Sequence, residues 1–310
     1  MSFSKQFYLF CTLNASMLLF FYWLWQAGRA NTRFDNLVRD GLIEEQLITP
    51  FVDFDTTYTI APTHHLSICC IKKAMSTLMM GIACALYDTK SFMANNQSIL
   101  GSWGEQRFCE GKNEYYRLED VKLEMGSESF TRIAAIRDPI DRFVSFFVDK
   151  CIVEAQKYPE QKKCYNCQGN VTCFLEQQYA RFLQHSLSKK VTFEPSYEDL
   201  HAAPLSWNCE FGKHLKEYKI VKLSSNPKDR NQGIKDLMDL LKNQNVSSST
   251  LKFIENSALG GDTFHATFKS EAGQLIRKQI ETDKKIRQWL KKIYYFDYII
   301  FGFDTKFIDE

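Results

Sequence analysis

The sequence predicts an α/β domain in which helices flank a central parallel sheet, and two strand-to-helix junctions predict it. In the first, the apolar run 66–71 precedes apolar residues that recur at helical spacing after Met75. In the second, the apolar run 133–136 precedes Asp138 and Pro139, a favourable N-cap and first helical residue. Strands that alternate with helices in this way favour a parallel sheet.

The first junction carries cationic and hydroxyl side chains between the strand and the helix. Lys73 lies in the predicted loop, and Ala74, Met75, Ser76 and Thr77 lead into the first helical turn. Free N–H groups at a helix start bind anions, and lysine and hydroxyl groups add donors. The glycines of a nucleotide-triphosphate loop are missing from this segment, which weakens an ATPase or ordinary kinase interpretation.

The second junction places Arg137 at the strand end and Ser145 on the following helix, and together they could bind one phosphate. One apolar stripe is expected along that helix, formed by Ile140, Phe143, Val144, Phe147, Val148, Cys151 and Ile152. Arg142 and Asp149 lie off the stripe. Two phosphate-binding junctions predict a ligand with two separated phosphate groups.

These two segments resemble the 5′-phosphosulfate loop and the 3′-phosphate motif of Golgi carbohydrate sulfotransferases, in particular the branch with the chondroitin and HNK-1 enzymes. The pattern C-x-I-P-K-…-[ST]-T is matched by Cys69 or Cys70, Ile71, Lys73, Ser76 and Thr77. The pattern R-[DN]-P-…-R-…-S-…-[DK]-K is matched by Arg137, Asp138, Pro139, Arg142, Ser145 and Lys150. Lys72 replaces the usual proline, and Ala74-Met75 replaces a Val-Ala or Val-Gly pair.

The resemblance implies a P-loop-like sulfotransferase fold and the donor 3′-phosphoadenosine 5′-phosphosulfate, without a metal. Residues 73–77 would bind the phosphosulfate, and Arg137 and Ser145 would bind the 3′-phosphate. Lys73 would also stabilise charge on the bridging oxygen. The implied acceptor is the hydroxyl of a glycan or proteoglycan, for example a glycosaminoglycan such as chondroitin.

Sulfuryl transfer to a hydroxyl also needs a base, and His201 is the first candidate. The segment from His201 through Pro204 to Cys209 resembles the H-W-x-P-…-C segment of the same family, with Ala202 in place of the tryptophan. The other candidates are His64, His65, His265 and Glu105 or another carboxylate.

The N-terminal residues predict a membrane anchor. Residues 7–27 are apolar and long enough to span a bilayer, although a cleaved signal peptide is the alternative. We expect a cytoplasmic tail at 1–6, an anchor at 7–27, a stem at 28–60 and a lumenal domain at 61–310. With the resemblance, this predicts a single-pass type II protein of the Golgi membrane.

Composition and cysteines agree with a lumenal enzyme. The net charge of +2 gives no bulk field for binding nucleic acid. Six of the ten cysteines, at 109, 151, 164, 167, 173 and 209, are expected in disulfides, and Cys69, Cys70 and Cys84 as free thiols. A zinc site at Cys164, Cys167 and Cys173 is a weaker alternative. Sequons for N-glycosylation occur at Asn96, Asn170 and Asn245.

Two other functions fit parts of the sequence. A lumenal kinase or other nucleotide-dependent transferase would bind phosphates at the same junctions, but it would need a carboxylate metal site in addition. A glycan-binding protein with a lapsed donor site would account for the changes at Lys72 and Met75.

Overall fold

The computed structural model describes residues 46–101, 108–126, 129–187, 193–260 and 270–309, and one compact unit spans Leu47–Glu310. The described residues form a five-stranded sheet of order β3-β1-β2-β4-β5. The strands are β1 Thr57–Ala61, β2 Leu66–Cys70, β3 Glu114–Tyr115, β4 Thr131–Ile136 and β5 Tyr218–Lys222. β2, β4 and β5 run parallel, whereas β1 pairs antiparallel with β2 and β3.

The α/β class and the flanking helices are confirmed, but the sheet is mixed and not wholly parallel as predicted. Residues 62–65 alone connect β1 to β2. A parallel pair needs a crossover of about a dozen residues or more, so this short connection forces an antiparallel pair. β1 was not predicted, because residues 57–60 were expected in the stem.

Helices and single turns fill the connections of the described chain. The helices are α1 Ser76–Tyr87, α2 Thr89–Ala94, α3 Leu118–Met125, α4 Pro139–Phe146, α5 Glu154–Lys157, α6 Val171–Leu187, α7 Tyr197–Ala202, α8 Phe211–His214, α9 Pro227–Lys242, α10 Ser248–Leu259, α11 Glu271–Thr282, α12 Lys284–Phe301 and α13 Lys306–Asp309. A π-helical segment, Phe147–Val153, joins α4 to α5. The predicted Asp138 N-cap is confirmed, because its carboxylate accepts the N–H groups of Ile140 and Asp141 at 3.0 Å.

Both faces of the sheet are buried. Ile68 and Cys70 of β2 belong to one apolar cluster, whereas Cys69 belongs to the other. Successive side chains of a strand point to opposite faces, so a strand covered on both sides reads as a continuous apolar run. This is the run by which the sequence identified β2.

The segment before β1 also packs against the domain. Ile48 is 2% exposed, and its N–H donates to Lys292 O at 2.8 Å. The indole Nε1 of Trp207 donates to Thr49 O at 2.8 Å. Residues 47–60, which the sequence analysis placed in a stem, therefore lie in the compact unit. The predicted anchor at 7–27 is outside the described residues, and within them no helix is long and apolar enough to cross a membrane.

Four disulfides connect described residues: Cys69–Cys209, Cys84–Cys109, Cys151–Cys164 and Cys167–Cys173. All six cysteines expected in disulfides are bonded. The expectation of free thiols at Cys69 and Cys84 is wrong, whereas Cys70 is buried and forms no disulfide. Burial did not separate the two states, because seven of the eight half-cystines are themselves buried. The zinc alternative fails, since Cys164 and Cys167 are bonded to different partners and the described residues contain no metal-binding group of His, Cys, Asp or Glu.

Candidate functional site

The two predicted phosphate-binding junctions lie at one edge of the sheet. β2 and β4 are adjacent and parallel, with Cys69 opposite Ala134. Lys73 and Arg137 therefore follow the carboxyl ends of neighbouring strands. β5 is parallel to β4 on its other side, so Ser225 follows the third strand at this same edge. Open α/β sheets bind their ligands at the carboxyl ends of the strands.

The loop between β2 and α1 turns in the left-handed region at two residues that are not glycine. Lys73 has φ 64° and Met75 has φ 62°. Each such residue costs roughly 1–2 kcal/mol, which packing elsewhere must offset. Ala74 between them is buried in the core. Met75 is the N-cap of α1, and its side chain makes no capping hydrogen bond. The first N–H groups of the helix, at Ser76 and Thr77, can therefore donate to an anion.

The ammonium group of Lys73 is paired with a carboxylate that the sequence analysis did not assign. Lys73 Nζ donates to Asp149 Oδ2, and the two side chains are 11% and 7% exposed. Burial lowers the pKa of Lys73 to about 8, and the charge of Asp149 opposes this shift. Asp149 lies in the π-helical segment, a kind of helical irregularity that is frequent at functional sites.

The ion pair continues into a network that reaches α7. Lys150 Nζ is 3.2 Å from Asp149 Oδ2 and also binds Glu154 Oε1. Glu154 binds Lys163, and it accepts the Tyr197 hydroxyl at 2.8 Å. Burial alone would raise the pKa of Glu154, but its bonds to Lys150, Lys163 and Tyr197 lower it to about 2. The carboxylate is therefore ionised at any physiological pH.

His201 lies on α7 beside this network, with its imidazole half-buried. Its Nδ1 is 2.7 Å from Tyr197 O. A carbonyl only accepts, so the proton is assigned to Nδ1 and the lone pair to Nε2, the atom that a general base uses. Burial, together with the charges of Lys73, Lys72 and Lys150, lowers the pKa of His201 to about 3, although the bond to Tyr197 O opposes this shift. The ring is neutral at neutral pH.

The other candidate bases do not join this group. His64 and His65 precede β2, whereas Lys73 follows it, so they lie at the opposite edge of the sheet. His64 Nδ1 is 3.1 Å from Gln244 O, which also lies away from the junctions. His265 and Glu105 are outside the described residues.

Arg142 connects the loop between β2 and α1, residues 71–75, to the segment that carries His201. Its guanidinium is buried and donates to three backbone carbonyls: Lys72 O at 2.9 Å, Ala203 O at 2.7 Å and His201 O at 3.2 Å. A buried cation needs such partners to offset its desolvation. Arg142 belongs to the predicted phosphate motif. Its guanidinium group is bonded to backbone carbonyls inside the protein, so Arg142 holds these segments together.

The second junction presents a buried arginine with an unsatisfied donor. Arg137 is 6% exposed, its Nη2 donates to Ser225 Oγ at 2.6 Å, and its Nε has no hydrogen-bond partner. A buried donor left unpaired is costly, and an oxygen atom of a bound anion would satisfy it. Ser225 was missed by sequence reasoning, although a polar residue directly after a strand was a usable signal. Ser145 is buried on α4, and its assignment to the phosphate stays a prediction.

The chain is similar over most of its length to known sulfotransferases. The Sulfotransferase family profile matches residues 56–304. Carbohydrate sulfotransferase chst-1 of Caenorhabditis elegans is 60% identical over 282 residues, which cover 90% of this chain and 85% of that protein. An uncharacterized protein of the same nematode is 27% identical over 264 residues, covering 84% of this chain and 72% of the relative. No solved structure matches the chain. The match over most of its length shows that the chain belongs to the sulfotransferase family.

Proposed function

We propose that the protein transfers the sulfuryl group of 3′-phosphoadenosine 5′-phosphosulfate to a hydroxyl group of a glycan. Its family implies a sulfate donor. One observation supports this particular donor best: two separate cationic junctions, at Lys73 and at Arg137, lie on neighbouring parallel strands. The donor carries phosphate groups at two separate positions, so each junction would hold one, and the unpaired Nε of Arg137 suits a 3′-phosphate oxygen.

The proposed reaction is an in-line displacement at sulfur. The acceptor hydroxyl oxygen forms the new S–O bond, and the bond from sulfur to the bridging phosphate oxygen breaks. His201 Nε2 receives the hydroxyl proton, because Nδ1 is bonded to Tyr197 O. Lys73 stabilises the negative charge that develops on the bridging oxygen, and adenosine 3′,5′-bisphosphate leaves. The phosphosulfate would offset the nearby ammonium charges and thereby raise the basicity of His201.

A glycan acceptor is proposed from the name of the chst-1 relative and from the surface beside His201. Tyr158 and Tyr197 are 37% and 39% exposed, and Lys163 Nζ lies 5.6 Å and 4.6 Å from their ring centroids. Aromatic rings offer flat apolar surface to a sugar, and the nearby lysine suits an acidic one. We therefore propose a glycosaminoglycan or proteoglycan acceptor, such as chondroitin.

The proposed location is the Golgi membrane, with residues 7–27 as a type II anchor, 1–6 as the tail and a lumenal catalytic domain. Four disulfides support an oxidising compartment. The sequons at Asn96, Asn170 and Asn245 lie on exposed asparagines. We expect a glycosidase-sensitive mass shift and carbonate-resistant membrane association in secretory cells. Release by carbonate from an unglycosylated protein would contradict this location.

The two alternatives receive less support. A kinase needs carboxylates that hold a metal ion, and the described part of the chain has no such cluster. A lapsed donor site is harder to reconcile with Lys73, Arg137 and His201, which keep the side chains that the chemistry needs.

The test is incubation of the glycosylated lumenal fragment, residues 47–310, with sulfur-labelled donor and a panel of glycosaminoglycans. We expect label in at least one glycan without added metal. Donor binding without transfer to any glycan would favour the binding-protein alternative. Transfer from a nucleoside triphosphate would favour the kinase.

A further inference from the structure

We propose that Asp149 is the positioning residue for Lys73. The Asp149 carboxylate holds the Lys73 ammonium group in the donor loop, residues 71–75, and releases it when the donor binds. Lys150 then remains as the counter-ion of Asp149. This inference rests on the proposed function, because it assumes that Lys73 acts on the phosphosulfate. It assigns a use to the Asp149–Lys150 pair, which the proposed reaction leaves unexplained.

The first observation is the enclosure of the ion pair. Lys73 and Asp149 are 76 residues apart in sequence and are both almost buried. Removing two charges from water is costly unless they are paired, so a buried lysine without Asp149 would be poorly held as a cation. The left-handed φ of Lys73 directs the side chain from a strained loop, and the carboxylate fixes where it ends.

The second observation is that Asp149 has another cation at hand. Lys150 Nζ lies 3.2 Å from the same oxygen, Oδ2. When Lys73 turns to an incoming phosphosulfate, Asp149 therefore keeps a neighbouring positive charge and is not left as a buried unpaired anion. The π-helical segment brings two consecutive side chains, at 149 and 150, to the same group of charges.

The charged groups that face Lys73 are Asp149, Lys150 and Glu154, from the π-helical segment and α5. The neutral ring of His201, on α7, is the other titratable group nearby. Asp149 and Glu154 favour the protonated lysine, and Lys150 disfavours it. Asp149 is in direct contact and Glu154 is one step away. Removing the Asp149 charge should therefore lower the pKa of Lys73 more than removing the Glu154 charge.

The test compares Asp149→Asn, Asp149→Glu and Glu154→Gln in the glycosylated lumenal fragment. The lysine side chains, labelled with ¹³C, are titrated by NMR without donor, with Lys73→Arg to assign the signal. We expect Asp149→Asn to lower the pKa of Lys73 clearly, and Asp149→Glu and Glu154→Gln to change it much less. An unchanged Lys73 titration in a folded Asp149→Asn variant would overturn the proposal.

Kinetics on the same variants separate positioning from a structural effect. Asp149→Asn should lower kcat roughly tenfold without raising the donor KM, because the carboxylate itself repels the anionic donor. Asp149→Glu should restore most of kcat. Equal losses in both variants, or a rise in donor KM alone, would contradict the proposal. Wild-type protein that transfers no sulfuryl group would instead contradict the proposed function, while the NMR result would still decide whether Asp149 holds Lys73.

Discussion

The junctions after β2 and β4 share one arrangement, a buried strand that ends near a cationic side chain. They differ in whether that side chain already has its partners. Lys73 is already neutralised by Asp149, and its loop is strained. Arg137 follows a strand that enters a well-capped helix, and one of its buried donors is unpaired. A preformed site with an unmade hydrogen bond gains free energy from binding. A cation that must leave a partner gains less from binding, and it acts where charge develops.

This difference suggests a division of work between the junctions. The second would supply affinity for the donor through its 3′-phosphate. The first would supply transition-state stabilisation at the phosphosulfate.

Lys73→Ala should lower kcat by roughly 100-fold or more, with a smaller change in donor affinity, because the bridging oxygen gains charge only as the S–O bond breaks. Steady-state kinetics with varied donor would measure both. Lys72→Ala is the matched control and should cost far less. A pure rise in donor KM, or a larger defect at Lys72, would remove the contrast between the junctions.

Arg137→Ala should weaken binding of adenosine 3′,5′-bisphosphate by about 1.5–3 kcal/mol, the range for hydrogen bonds to charged groups. This corresponds to a roughly 10- to 150-fold higher Kd in calorimetry. Arg132→Ala is a suitable control, because Arg132 is also a buried arginine, but it lies near the start of β4 and pairs with Glu217. Equal affinity in a folded Arg137→Ala variant would refute the assignment.

The pH profile of kcat/KM should fall above about pH 8, because the free enzyme needs Lys73 as an ammonium ion and its pKa is about 8. The active form is complete below this pKa and is lost as pH rises through it, by about tenfold per pH unit. His201 has a pKa of about 3, so no acid limb from it is expected between pH 5 and 7. Lys73→Arg should remove the alkaline limb. A limb near pH 6.5 that disappears in His201→Gln would show that the imidazole is charged in the free enzyme.

Ser225→Ala should have the smallest effect, a loss of bisphosphate affinity of about 0.5–1.5 kcal/mol, as for a single neutral hydrogen bond. Ser225 orients Arg137 through a 2.6 Å bond and lies at the same sheet edge. Calorimetry on Ser225→Ala and Ser145→Ala would rank the two hydroxyls. A loss at Ser145 alone would leave the 3′-phosphate to the pair that the sequence predicted.

The local features of the fold could be predicted from the sequence alone. Helix α4 begins at Pro139 because Asp138 caps it, and β2 is recognisable as an apolar run covered on both faces. These signals depend on neighbouring residues only, so no knowledge of the rest of the chain is needed. They sufficed to identify both junctions and the side chains at each.

Contacts between residues that are far apart in sequence are seen only in the tertiary structure. Asp149 reaches Lys73 across 76 positions, Arg137 meets Ser225 across 88, and Cys69 is bonded to Cys209 across 140. Composition and periodicity carry no information about such pairs. The sequence placed Arg142 and Asp149 off the apolar stripe, where charged residues normally face water. The fold buried both, because carbonyls from the donor loop and α7 surround one and lysines surround the other. Their part in the site therefore follows from long-range contacts, which no local pattern encodes.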